Sequence, residues 1–338
     1  MKIGVFHPHR LPISAHNYID NIVRELNEMK VECLLFNEGD LLLPQDVDLY
    51  WDPRAMGGGP PYKMLSSVDK PLVVTVHGAS SFALTAKEHF SSIKSFLVGQ
   101  VFKLKHLYEW RKFRCRCDAY VSVSSYGRWE ISKYLNLNSD SVTPIFHGVD
   151  LDLFKQEVVS SDRRPYLLHV SQYQPKKNVD RIIEAYARLD VVNKPSLVLV
   201  APQYPDVTCL PDGVELIREP QSHIELVRLY SGATAFVFPS LHETFGMPIV
   251  EAMACGCPVV TSNVTACPEV AGDAAILVNP RSVDEIAAAM EELISNEALR
   301  NDLRQKGLER AQQFTWKRSA EEHLKVFERV IHNASNSK

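Results

Sequence analysis

Two carboxylates, Glu243 and Glu251, stand eight positions apart, and two ammonium groups, Lys176 and Lys177, stand side by side upstream of them. The acids frame Glu243-Thr244-Phe245-Gly246-Met247-Pro248-Ile249-Val250-Glu251. A carboxylate accepts hydrogen bonds from hydroxyls, and an ammonium group neutralises phosphate. Ligands that carry both hydroxyls and phosphates answer to this set, and a nucleotide sugar is the class that fits.

The elements around these residues must bring them together. Thr234–Ser240 is an apolar, β-rich run closed by Pro239, which predicts a buried strand. The spacing then turns helical over 247–255 until Gly256 and Pro258 stop it. Glu243 falls on the strand-to-helix loop and Glu251 in the first turns of the helix, where the free amides of Phe245, Gly246 and Met247 suit hydroxyls or an anion. The plainer alternative is that Glu243 caps the helix and Glu251 is solvated. Upstream, Tyr166–Val170 reads as a strand, Pro175 as a turn and 179–189 as a helix. Lys176 and Lys177 then sit beside a helix N-terminus, an unfavourable place for cations unless a diphosphate shares it.

The chain has 338 residues, beyond the size at which a single core stops growing, so two domains are expected. With 45% hydrophobic and 23% charged residues its composition is that of a globular protein, and a net charge of −4 speaks against nucleic acid as the main partner. Seven cysteines lack both disulfide-framework and metal-ligand spacing, which predicts reduced thiols in a cytoplasmic protein. Nothing at the N-terminus reads as a signal peptide and no run is apolar enough to span a bilayer, so any membrane contact would be peripheral.

Strand and helix patterns alternate throughout, which predicts an α/β architecture of parallel sheets covered on both faces. Candidate strands at Ile3–Phe6, Val31–Phe36, Val47–Trp51, Leu72–Val76, Ala119–Ser122 and Val142–Phe146 form the first half, with helices at Tyr18–Met29 and within 85–116. A polar stretch at 150–164 breaks the rhythm before it restarts. Later strands are predicted at 196–200, 214–217, 258–261 and 275–278. Helices are expected at 223–231, 282–295, 297–313 and 316–333. The expected organisation is two Rossmann-like domains, 1–150 and 151–315, facing an interdomain cleft, with 316–338 as a helix returning to the first domain.

The stretch from Glu243 through Glu251 to Glu-Ala-Met-Ala-Cys-Gly-Cys-Pro-Val-Val-Thr resembles the donor-site signature of retaining glycosyltransferases of family 4, whose fold is GT-B. Asn263–Ala275 and Phe314-Thr315-Trp316 resemble further stretches of that family, and His147-Gly148-Val149-Asp150 resembles its hinge-side turn. The resemblance implies transfer of a hexose from a nucleoside diphosphate to a hydroxyl or lipid-linked glycan acceptor, with UDP-glucose the first donor to consider and GDP-mannose the second. It implies that Lys177, with Lys176, takes the diphosphate and Glu251 the ribose hydroxyls. Glu243 and the Thr244–Pro248 turn would hold the sugar. His77, at the end of the strand Val73–Val76, would reach the sugar from the first domain. No cofactor and no metal are implied, the nucleotide sugar being a substrate, and the leaving phosphate would serve as base in a front-face transfer. Two features depart from the family pattern. Gln172 stands where an Arg is usual, and His7–Asn17 lacks the usual Gly-Gly pair, leaving His9, Arg10, Ser14, Ala15 and His16 as acceptor candidates. Two rivals stay open: a non-hydrolysing nucleotide-sugar epimerase, which shares the fold but which the turn from Glu243 to Glu251 speaks against, and a catalytically silent nucleotide-sugar-binding protein, which the two departures motivate.

One segment, 102–116, interleaves cations with Phe102, Leu104, Leu107, Trp110 and Phe113. It reads either as a helix lying on anionic lipid or as a solvated helix whose Lys and Arg stems cover the core.

Overall fold

The computed structural model describes residues 1–85, 93–158, 164–205 and 209–336. The chain divides into two compact units. One contains Met1–Ala86, Phe90–Gly148 and Thr315–Lys338; the other is essentially Val149–Phe314. Part of the polar stretch expected at the boundary, 159–163, and part of the helical stretch 85–116, at 86–92, lie outside the described residues.

The first unit opens with β1 (Lys2–Phe6), α1 (Ile13–Glu28), β2 (Glu32–Phe36), β3 (Leu49–Ala55) and β4 (Leu72–Val76). It continues with α2 (Ser80–Ala83), α3 (Ile93–Arg114), β5 (Ala119–Ser122), α4 (Ser125–Leu135) and β6 (Val142–Pro144). The sheet runs β2-β1-β3-β4-β5-β6, all parallel, with Val5 opposite Trp51 and Val74 opposite Tyr120. β3 and β4 are buried almost throughout, as strands covered on both faces must be. The register shift between Asp52 and Ala55 brackets Pro53, which has no N–H for the ladder. α1 starts at Ile13, not at Tyr18, so Ser14, Ala15 and His16 belong to its first turn instead of to a loop. α4 escapes the hydrophobic pattern altogether; the Ser124 hydroxyl caps it by accepting from the Gly127 N–H.

The second unit comprises β7 (Tyr166–Val170), α5 (Val179–Ala187), β8 (Ser196–Val200), β9 (Val214–Ile217), α6 (His223–Gly232) and β10 (Ala235–Phe238). Then follow α7 (Met247–Ala254), β11 (Val259–Ser262), α8 (Cys267–Ala271), β12 (Ala275–Val278), α9 (Val283–Ser295) and α10 (Glu297–Ala311). Its parallel sheet runs β12-β11-β10-β7-β8-β9, with Leu168 opposite Phe236 at the centre. From β7 the chain builds outward to β8 and β9, then crosses to start the other half at β10. The crevice beyond the carboxyl ends of β7 and β10 is therefore the topological switch point, where open α/β sheets bind ligands. The first unit has its own switch point between β1 and β3.

The last helix, α11 (Trp316–Asn336), belongs to the first unit and packs along α1. It buries Trp316, Val326, Phe327 and Val330, and Trp51 touches the Phe327 ring. Gly148 explains itself here: a Cβ on it would stand 2.2 Å from the Trp316 nitrogen, so only glycine lets that backbone approach.

Candidate functional site

In the second unit the loop after β7 carries the cations. A turn of 3₁₀-helix spans Pro175–Lys177, and Asn178 then takes a left-handed conformation with φ 65° before α5 begins. Asn tolerates that region better than other non-glycine residues. Its side chain is buried and fixes the turn. Nδ2 donates to the carbonyls of Pro239, at 2.8 Å, and Pro280, at 2.7 Å, and Oδ1 accepts from Arg181. The Leu241 N–H donates to the Lys176 carbonyl at 2.8 Å, tying this loop to the one after β10.

This double tether brings the two sequence candidates into contact. Lys177 Nζ donates to Glu243 Oε1 at 2.6 Å, with the side chains 16% and 11% exposed. The ammonium group also lies 5.1 Å from the Phe238 ring centre. Burial works against the charged form of Glu243, but Lys177, then Lys176, outweigh it and hold the carboxyl below its usual range. Glu243 is thus a fixed carboxylate.

Its backbone is clamped from α8's side of the sheet. The Glu243 N–H donates to Thr265 Oγ1 at 3.1 Å, and its carbonyl accepts from the Ala266 N–H. Thr265 does this with φ 61°, a left-handed conformation that is strained for a β-branched residue. Beneath the pair, His169 is fully buried. Its Nδ1 pairs with the Val237 carbonyl and Nε2 with the Ser171 hydroxyl, both at 2.8 Å, and burial pushes it down to about 4, so it is neutral.

Thr244–Met247 leads into α7 through Gly246, whose φ of 98° suits glycine; a Cβ there would also crowd Ile249. Phe245 is buried against Phe314, so it shapes the turn from within, while Thr244, Met247 and Pro248 are half-buried. Glu251 lies in α7 and accepts from the Tyr230 hydroxyl at 3.2 Å. Burial raises its carboxyl to about 7 against the lowering effect of that bond. Gln172 is exposed in the loop after β7, and Lys176, partly exposed, is near enough to Glu243 to help lower its carboxyl.

The first unit places its candidates differently. His77 follows β4, half-buried; its Nε2 donates to the Pro53 carbonyl at 2.7 Å and its ring stacks on His147 at 5.6 Å. Burial lowers it to about 4 despite that bond, so it is a neutral imidazole. His147 is driven further down by burial and by His77 and His323. His323 of α11 completes the cluster, bonded to the Tyr18 hydroxyl at 2.8 Å and the Ser319 carbonyl at 2.7 Å. Among the acceptor candidates, His9, Arg10 and Ser14 are exposed and His16 is half-buried beside His7. Ala15 is a core residue, 2% exposed, because it faces inward from α1. Their neighbours Leu11 and Pro12 instead line a cavity of about 390 Å³ with Arg54, Lys105, His106 and Glu109. Asp52, fully buried, holds Arg54 nearby by accepting its backbone N–H at 3.1 Å. Among the described residues no group of three His, Cys, Asp or Glu side chains could hold a metal ion. No described helix is long and apolar enough to cross a membrane.

Four contributors escaped the sequence. Thr265, Asn178, Ser171 and Tyr230 act through contacts that no spacing rule reveals. The positive φ of Asn178 had one local signal, an Asn just before a helix pattern.

Residues 151–310 match the family described as Glycosyl transferases group 1. The chain is 34% identical over 226 residues to O-antigen chain mannosyltransferase B of Escherichia coli, covering 61% of this chain and 59% of that one. It is 28% identical over 244 residues to the serotype-specific mannosyltransferase WbdA of Escherichia coli, covering 66% of this chain but only 30% of the relative. The chain thus spans under a third of WbdA's length. Sucrose-phosphate synthase from Thermosynechococcus elongatus superposes with a TM-score of 0.74 at 16% identity, over 98% of this chain and 99% of that one. That likeness shows the GT-B fold. Residues 151–310, just under half of the chain, are thus similar to the group 1 glycosyl transferases.

Proposed function

We propose that this chain is a retaining glycosyltransferase that moves a hexose from a nucleoside diphosphate to a hydroxyl acceptor of a growing glycan. The observation that carries the reading is the Lys177–Glu243 pair, held at 2.6 Å at the second unit's switch point. A fixed carboxylate beside a fixed cation offers hydroxyl acceptance and charge neutralisation in one place, already oriented before any ligand arrives. Lys177 and Lys176 are assigned to the diphosphate, Glu243 and the Thr244–Pro248 turn to the sugar, and Glu251 to the ribose. Gln172 is assigned to the edge of the phosphate site, where it supplies polarity without charge.

The chemistry needs no enzymatic nucleophile. The bond between C1 and the phosphate oxygen breaks, the acceptor oxygen bonds to C1 on the same face, and the acceptor proton passes to the departing phosphate. Lys177 stabilises the negative charge that develops there. His77 is neutral near physiological pH, which suits it to hydrogen bonding and not to acid catalysis. The chain's mannosyltransferase relatives support mannose as the sugar and O-antigen-type polysaccharide synthesis as the setting. GDP-mannose therefore moves ahead of UDP-glucose as the donor to test.

The test is donor turnover. The purified chain, given GDP-mannose or UDP-glucose in turn, should release nucleoside diphosphate slowly to water and faster with a glycan acceptor. Glu243→Gln should abolish release while the nucleoside diphosphate still raises the melting midpoint. Release that persists unchanged in Glu243→Gln would remove the assignment.

A further inference from the structure

The helix α3 is apolar on two opposite faces. Its inward face seats Trp110 and Phe113 in the first unit's core, and the Trp110 indole N–H donates to the Gly58 carbonyl at 2.9 Å. These two are members of the cationic-apolar segment noted in the sequence, and their burial accounts for two of its five apolar residues. The other face is open to solvent. Leu97, Val101, Leu104 and Tyr108 are 59%, 68%, 71% and 64% exposed. Their spacing of four, three and four residues places them in one stripe along about 17 Å of helix. Val98, also exposed, lies beside it.

The remaining exposed large apolar side chains include Leu41 and Leu42, Val158, Val192 and Ile224, scattered in ones and twos. Scattered apolar residues need no explanation, but a continuous stripe on a surface helix does. The surroundings of this stripe say what covers it. Lys105, Arg111 and Lys112 are exposed, and helical geometry puts them on the same side as the stripe, along its flank and at its C-terminal end. Glu109, the acid in this stretch, pairs with Lys105 at 4.0 Å and offsets part of its charge, which leaves Arg111 and Lys112 as the stronger cations beside the stripe. A chain with a net charge of −4 therefore carries a local cationic rim around an apolar ridge.

We infer that this face of α3 docks on an anionic lipid surface, with Leu97, Val101, Leu104 and Tyr108 entering the headgroup boundary and Lys105, Arg111 and Lys112 meeting lipid phosphates. A convex apolar ridge with cations beside it is the form that lies in a membrane interface. A second copy of the chain is the poorer occupant, because pairing the ridge with itself would bring the same cations together.

Flotation of the full chain with vesicles, with no sugar nucleotide present, tests this apart from the transferase reading. The chain should float with vesicles rich in phosphatidylglycerol and stay behind with pure phosphatidylcholine. Val101→Glu with Leu104→Glu should abolish flotation, and neutralising Lys105, Arg111 or Lys112 to Gln should weaken it about fivefold for each charge removed. Unchanged melting midpoints would show that these surface variants fold. Failure of the wild type to float, equal flotation of the Glu variant, or a dimer in sedimentation that the same substitutions dissolve would each overturn the inference.

Discussion

The two units share one plan, a parallel six-stranded sheet with a switch point beside its first strand, yet they furnish that point in opposite ways. In the second unit it is filled by charge: Lys177 and Glu243 in contact, clamped by Asn178 and a strained Thr265. In the first unit it borders an open cavity of about 390 Å³ with Arg54, Lys105 and His106 around it; the buried Asp52 holds Arg54, and the nearby His77 and His323 are neutral. One switch point is set before its ligand comes; the other leaves room. On the proposed reading, that difference matches a donor whose diphosphate and hydroxyls are always the same and an acceptor that changes as a glycan grows.

The sharpest way to break the comparison is at the filled site. Glu243→Gln keeps the shape but loses the charge, and transfer should fall by about 10²- to 10³-fold, worth about 3–4 kcal/mol of transition-state stabilisation. Lys177→Met should fall similarly, and the double variant should fall little further, because paired groups are not additive. Additive losses in steady-state kinetics would mean that the two residues work separately.

Next comes the clamp. Asn178→Ala removes two hydrogen bonds to carbonyls and puts a Cβ-bearing residue without a polar side chain at φ 65°, which should cost about 2 kcal/mol in chemical denaturation. Asn178→Gly spares the backbone strain and should cost less. Equal losses in both would show that the hydrogen bonds, not the turn conformation, hold the loop.

Acid should separate the units more mildly. His77 and His323 titrate near 4 in the first unit, below the value of about 6.5 in an unfolded chain. The unfolded chain takes up protons first, so stability is full above about pH 6.5 and declines as pH falls toward 4. Each such histidine contributes a slope of about 1.4 kcal/mol per pH unit at most. His169 adds one group of the same sign to the second unit. His323→Gln should keep the bond geometry to Tyr18 approximately while flattening the acid slope of the first unit. An unaltered slope in denaturation at stepped pH would exclude His323 as a contributor.

The sequence revealed the parts of this molecule that follow from local rules. Buried parallel strands such as Leu72–Val76 and Tyr166–Val170 announce themselves as apolar runs, and Glu243 and Lys177 as charges at strand ends. The start of α1 was missed because Ile13 is 76% exposed and Pro12 offers no capping side chain, so periodicity becomes visible only at Tyr18. α4 was missed because Gly127 and an exposed Trp129 interrupt its apolar face. The clamp was illegible for another reason: Thr265 lies 22 residues from Glu243, and Asn178 lies 61 and 102 from its carbonyl partners. Such contacts are made by sheet order, which no spacing within one segment encodes.

The smallest effect expected is also the most diagnostic for Glu251. Its carboxyl titrates near 7 in the folded chain, above the unfolded value of about 4.3, because burial favours the neutral form. Stability from this group is therefore fully present below about pH 4 and lost as pH rises through 7, opposite in sign to the histidines. A carboxylate accepts hydroxyl bonds more strongly than a carboxylic acid does, by about 1 kcal/mol. Nucleotide affinity should accordingly rise about fivefold as pH goes from about 6 to 8, while that one contribution to stability declines. Glu251→Gln should bind with the lower affinity at both values and lose the dependence. Tyr230→Phe, which takes away the hydrogen bond that opposes burial, should move the midpoint upward. Calorimetric titrations across this range that show a flat wild-type profile would separate Glu251 from the ribose and leave it as a buried partner of Tyr230 alone.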